Sequence, residues 1–163
     1  MALATPLIRR CTIRNSCRFQ SPVTLEDCDV IAFLWFYGEH IEGPIPSGSV
    51  VRGCRLKLGR GNPELAIACD GRLHGLPGPT VAAGVPPLIG LRFEGNAIDG
   101  RMEIQHAQQV RLAGNRFAVE RGQLTIRACR DVSVEASRLG DAAFPADRIR
   151  IEGGKTRDAV TVR

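Results

Sequence analysis

Five side chains able to do chemistry crowd into one short stretch: Trp35, Tyr37, Glu39, His40 and Glu42. Trp35 is the only tryptophan and Tyr37 the only tyrosine in 163 residues. Flat apolar ring faces beside a few oriented polar groups are what a sugar site requires. Carboxyl groups add a second capability, because glycoside cleavage uses two of them, about 5–5.5 Å apart for retention or about 6.5–9.5 Å for inversion. Glu42 is the first candidate for acid or base, with Glu39 and Asp70 behind it. Trp35, Tyr37, His40, Arg60 and His74 are the candidates for holding substrate. The same stretch also reads as an alternating strand that buries Phe33, Trp35 and Tyr37 and leaves Glu39 and Glu42 in water.

Other chemistries are poorly represented. Asp70 and His74 stand four apart in a Gly/Pro-rich stretch, where that spacing carries no helical meaning, so no metal site is expected. The six cysteines at 11, 17, 28, 54, 69 and 129 contain no C-x-x-C pair and read as core thiols. Cys17 would be reactive only if exposed beside Arg18 in a pocket that favours the thiolate. Gly59-Arg60-Gly61 precedes no helical pattern and is not a phosphate loop, and no G-x-S-x-G elbow exists. His106 sits beside an alternating strand and reads as an edge residue. No cofactor is expected.

The elements that must position these groups are announced by a repeat. The phrase is apolar, any, apolar, two further residues, a small residue, any, apolar. It runs through Val23-Thr24-Leu25-Glu26-Asp27-Cys28-Asp29-Val30, Leu91-Arg92-Phe93-Glu94-Gly95-Asn96-Ala97-Ile98 and Val110-Arg111-Leu112-Ala113-Gly114-Asn115-Arg116-Phe117. Weaker copies centre on Cys11, Cys54, Ser137 and Gly154. The steps between these small residues are 17, 26, 42, 19, 22 and 17, the longest holding one coil plus an insertion, or two coils. A second alternating segment recurs at Leu65-Ala66-Ile67, Met102-Glu103-Ile104, Leu124-Thr125-Ile126 and Ala159-Val160-Thr161-Val162.

Alternation puts every second side chain inside, and one coil cannot bury its own inward set. Stacked coils can. The sequence therefore predicts an all-β, right-handed parallel β-helix, a single solenoid domain over 1–163 of about six or seven coils, with a long loop insertion near 69–90. Asn96 and Asn115, each after a glycine, are expected at the bends, where asparagine tolerates left-handed angles and can stack. The outward columns, such as Arg9, Glu26, Arg52, Glu94, Glu135 and Glu152, read as stacked ion pairs or, less simply, as a stripe for a polyanion.

Composition agrees with this architecture. Eighteen glycines, ten prolines and 5% aromatics favour brief strands joined by tight bends. The net charge of +5 comes without a basic run interleaved with aromatics, so no nucleic-acid partner is expected. The longest apolar run, 30–36, is too short to span a bilayer, and no membrane partner is expected. Residues 1–10 lack the apolar core of a signal peptide, and the compartment stays open.

The "apolar-x-apolar-x-Gly-Asn-x-Phe" phrase resembles the repeat of pectate-lyase-like right-handed β-helix proteins. Trp35-Phe36-Tyr37-Gly38-Glu39-His40-Ile41-Glu42-Gly43-Pro44, followed by Val50-Val51-Arg52-Gly53-Cys54, is similar to an aromatic segment and its following strand in exo-acting α-1,3-galactosidases built on this helix. The likeness spans residues 20–140 and corresponds to the later coils of such an enzyme. It implies a carbohydrate-active protein, glycoside hydrolase-like, with carbohydrate as partner. The family's adjacent pair of catalytic Asp residues has no counterpart, since no Asp-Asp occurs here. The alternative is a non-catalytic glycan-binding or structural β-helix module. Neither 1–6 nor 156–163 offers an amphipathic capping helix, so the expectation is either self-association, end to end or side by side, into a homo-oligomer through exposed coil ends, or a larger parent protein from which this region comes.

Overall fold

The structure is a computed structural model that describes residues 5–15, 17–19, 21–37, 48–58, 65–70, 88–152 and 160–163; for Tyr37, Leu65, Ala66, Ala68 and Asp70 it describes the backbone alone. It is all-β, with one short 3₁₀ turn among the described residues, at Ala146–Arg148.

The chain makes successive rounds of three strands. The first round is β1 (Leu7–Arg9), β2 (Thr12–Arg14) and β3 (Cys17–Phe19). The second is β4 (Thr24–Glu26), β5 (Asp29–Ile31) and β6 (Leu34–Tyr37), and the third β7 (Val50–Arg52), β8 (Arg55–Lys57) and β9 (Leu65–Asp70). The fourth contains β10 (Leu88–Ile89), β11 (Arg92–Glu94), β12 (Ala97–Asp99) and β13 (Arg101–Gln105). The fifth has β14 (Ala107–Ala113), β15 (Arg116–Phe117) and β16 (Gln123–Arg127). The sixth has β17 (Arg130–Glu135), β18 (Arg138–Leu139), β19 (Ala142–Ala143) and β20 (Ile149–Glu152), and β21 (Val160–Val162) follows.

Corresponding strands of consecutive rounds pair in parallel and build three sheets. The first runs β1-β4-β7-β11-β14-β17-β21, with β10 also on β14; the second runs from β2 to β19; the third runs from β3 to β20. Among the described residues only β18 and β19 pair antiparallel, where the chain turns back at Gly140 and Asp141.

Register carries like side chains onto like. In the first sheet Ile8, Leu25, Val51, Phe93, Leu112 and Val134 are successive partners. In the second the file is Ile13, Val30, Leu56, Ile98, Phe117 and Leu139. In the third it is Phe19, Phe36, Cys69, Ile104, Ile126 and Ile151. The central members of each file are sealed from water and form one core. Each large aliphatic buried this way contributes about 1.5–3 kcal/mol, enough to hold strands of two or three residues that would not persist alone. Phe19, Phe36 and Phe93 extend the packing across sheets, with ring centroids 5.4 and 5.9 Å apart.

The small-residue file forms as expected through its middle. The Cys28 N–H points to Cys54 Sγ at 3.4 Å, the Cys54 N–H donates to Asn96 Oδ1 at 2.9 Å, and the Asn96 N–H donates to Asn115 Oδ1 at 3.1 Å. Because Asn96 bonds directly to Cys54, the step of 42 residues is one round with an insertion rather than two rounds. That insertion, expected near 69–90, falls mostly on 71–87, outside the described residues.

Several expectations are corrected. The left-handed residue at each bend precedes the ladder residue: Arg10, Asp27, Gly53, Gly95, Gly114 and Ala136 have φ between 47° and 62°, whereas Asn96 and Asn115 do not. The asparagines are there for their amides, and the glycines absorb the backbone angle. Ile149–Glu152, read as another ladder copy, belongs to the third sheet beside β16, and Val160–Val162 takes the first-sheet place on β17. An apolar-x-apolar triplet fits any inward-facing strand, so the pattern cannot distinguish sheets. Of the cysteines, 28, 54, 69 and 129 are buried, but Cys11 is exposed and Cys17 only partly covered, because both lie in the first described round.

Candidate functional site

Alternation along β6 decides what the aromatic stretch can do. Leu34 and Phe36 are 0% and 2% exposed, so they face the core, while Phe33 and Trp35 are only partly buried. The buried-strand alternative for Phe33 and Trp35 therefore fails, and the sole tryptophan belongs to the outer face of the third sheet. Its ring lies 5.8 Å from Phe33, and the Arg18 guanidinium sits 5.2 Å from the ring centroid. Arg18 is in that position because it is the register partner of Trp35 on the preceding round.

Two residues further along, a polar file crosses the same sheet. Tyr37 is partnered with Asp70, Asp70 with Gln105, Gln105 with Arg127 and Arg127 with Glu152. Tyr37 and Asp70, 33 positions apart in sequence, thus stand on adjacent strands, about 4.8 Å apart by strand spacing. At the far end Arg127 Nε lies 2.5 Å from Glu152 Oε2, and Arg150 Nε lies 2.8 Å from Glu152 Oε1. The hydrogen bond from Arg127 holds the Glu152 carboxyl below the ordinary glutamate range. In the middle, Gln105 Oε1 is buried, and among the described residues no group donates to it. A buried acceptor left open is costly, about 1–3 kcal/mol, and a ligand hydroxyl or a water would relieve it.

Of the residues named from sequence, the structure brings together Trp35, Tyr37 and Asp70. Glu39, His40, Glu42, Arg60 and His74 lie outside the described residues. Sequence reasoning missed Arg18, Gln105 and Arg127 as members of this face. Only register joins them to it, although Arg18 was legible as the residue one repeat of 17 before Trp35. His106 occupies the bend after β13 with φ 48° and its N–H on the Arg127 carbonyl, as an edge residue would. Cys17 is partly covered, and burial raises its thiol, away from the thiolate that the reactive reading requires.

Ion pairs run along the other two faces. On the first sheet Glu26 lies between Arg9, at 3.5 Å, and Arg52, at 3.0 Å, and Arg111 reaches Glu135 at 3.1 Å. Acid and base alternate from round to round, so no single-sign stripe for a polyanion runs along this part of the face. Glu152 leaves this column, because its strand lies in the third sheet. On the second sheet Arg55 grips Asp29 with two nitrogens at 2.5 and 2.6 Å, and Arg116 reaches Asp141 at 2.7 Å. Exposed pairs of this kind contribute about 0–1 kcal/mol each. Among the described residues no cluster of three His, Cys, Asp or Glu could hold a metal ion, and no helix is long and apolar enough to cross a membrane.

No known protein family, curated protein or solved structure matches the chain.

Proposed function

We propose that the chain is a right-handed parallel β-helix of the carbohydrate-active kind, which binds a glycan across the outer face of its third sheet. The recurring order of three parallel sheets supports the helix. Crossovers between parallel strands of one sheet are right-handed in about 98% of cases, which supports the hand. The observation that carries the ligand class is the juxtaposition of the outward Trp35 with the Tyr37-Asp70-Gln105 file, in which Gln105 Oε1 has no donor among the described residues. A sugar presents an apolar face to stack on an indole and hydroxyls to fill such an acceptor. The likeness to α-1,3-galactosidases makes an α-linked galactooligosaccharide the first ligand to try.

The sole tryptophan provides the readout. Titrating the protein with α-1,3-linked galactooligosaccharides should shift its emission saturably. Gln105→Ala should weaken binding several-fold with the fold intact by circular dichroism. A screen of glycans that leaves the emission unmoved overturns the reading. Bond cleavage is the second reading, carried by Asp70 standing beside Tyr37, with Glu42 and Glu39 as partners. Release of free sugar, abolished in Glu42→Gln or Asp70→Asn, would move the protein from binder to hydrolase. Self-association belongs to the same proposal: β1, β2 and β3 form one end of the described sheets, while at the opposite end β19 folds back antiparallel on β18. Light scattering across a wide concentration range tests that assembly.

A further inference from the structure

The first three ladder residues are all cysteines, Cys11, Cys28 and Cys54, on consecutive rounds. Their thiols take the same pose. Each Sγ lies against the carbonyl two residues back, Arg9 at 3.2 Å, Glu26 at 3.3 Å and Arg52 at 3.3 Å. Cys11 and Cys28 are locked round to round, since the Asp29 N–H donates to the Cys11 carbonyl at 2.9 Å and Thr12 is the register partner of Asp29. In-register strands stand about 4.8 Å apart, within the 4.4–6.8 Å between Cα atoms that a disulfide needs. The file also has a direction. Cys54 Sγ reaches back to the Cys28 N–H, and Cys28 Sγ reaches back to the Ile8 carbonyl at 3.5 Å, towards the round that holds Cys11. Cys11 is exposed, whereas Cys28 and Cys54 are 2% and 1% exposed.

We infer that Cys11 and Cys28 form a peroxide-driven thiol pair, in which exposed Cys11 is oxidised first and Cys28 resolves it into a disulfide that staples the first round to the second. A peroxide transfers oxygen to Cys11, giving its sulfenic acid and water. The Cys28 sulfur then attacks that sulfur, and the thiol proton leaves with the hydroxyl as a second water. Cys54 stays out of the exchange because it sits one round deeper, where burial pushes its thiol up to about 11. Cys17 lies on the third sheet, as the register partner of Leu34, and belongs to a different file.

The sequence makes the test unambiguous, because tryptic cleavage puts each cysteine on its own peptide, with Cys11 on 11–14, Cys17 on 15–18, Cys28 on 19–52 and Cys54 on 53–55. The whole protein is treated with stoichiometric hydrogen peroxide, alkylated and digested without reductant. The expected product is peptide 11–14 linked to peptide 19–52, absent before treatment, in the majority of chains and reversed by dithiothreitol. Melting should rise on oxidation and fall back on reduction. In Cys11→Ser, a surface change that leaves the core intact, Cys28 should stay reduced under the same dose. A link between Cys11 and Cys17, a Cys11 dimer between chains, or a Cys28 to Cys54 link formed in Cys11→Ser would each overturn the assignment.

Discussion

Asn96 donates twice to one oxygen of the next round: its backbone N–H and its Nδ2 lie 3.1 and 2.9 Å from Asn115 Oδ1. Asn115 passes the pattern on by giving its own Nδ2 to the Phe93 carbonyl at 2.8 Å, as Asn96 does to Val51 at 2.9 Å. Both residues are at most 1% exposed, so each amide does for backbone groups at the bend what water cannot reach to do. Asn115→Ala should therefore cost about 2–4 kcal/mol in urea unfolding, since it orphans two buried donors. Ser137, next in the file, has a buried Oγ with no partner among the described residues. Ser137→Ala should leave stability unchanged or raise it by up to about 1 kcal/mol.

The bends offer a test that reads backbone conformation alone. Gly95 and Ala136 occupy the same place in their rounds, with φ of 62° and 47°. A Cβ at Gly95 would meet nothing within 4 Å, so Gly95→Ala should cost about 1–2 kcal/mol from the left-handed angle itself. Ala136→Gly should run the other way and stabilise by up to about 1 kcal/mol. Denaturant midpoints of the two variants, with unchanged m-values, check the pair of signs.

Acid should loosen the outer ion pairs in a defined window. Hydrogen bonds from Arg52, Arg55 and Arg127 hold the carboxyls of Glu26, Asp29 and Glu152 below their ordinary values. A carboxyl depressed in the folded state favours folding above its unfolded pKa, about 3.9 for Asp and 4.3 for Glu, and that support disappears as pH falls through the folded value. Melting temperature should thus be flat near neutrality on this account and fall below about pH 4, with a smaller fall in high salt. In Arg52→Met the Glu26 carboxyl, followed by NMR titration, should move back up.

The Arg18 guanidinium over Trp35 is open to a direct spectroscopic check. Arg18→Ala should change the emission of the single tryptophan and cost about 0.5–1 kcal/mol, the range for an exposed cation–π contact. Emission identical to that of the wild type would mean that the stack does not form in solution.

Alternation and the recurring small residues were enough to predict an all-β chain of stacked rounds and to pick out Cys28, Cys54, Asn96 and Asn115 as one file, because inside-outside periodicity is a local property of each strand. The same information could not tell Ile149–Glu152 from a first-sheet strand, nor decide whether Trp35 faced in or out. Both depend on register, which is set by which inward side chains stack across rounds tens of residues apart. Register likewise joined Tyr37 to Asp70 and Gln105. Sequence alone determined the alphabet of the repeat, and tertiary pairing decided which letters became neighbours, since a strand chooses its partner by burying a shared core file and not by its own pattern.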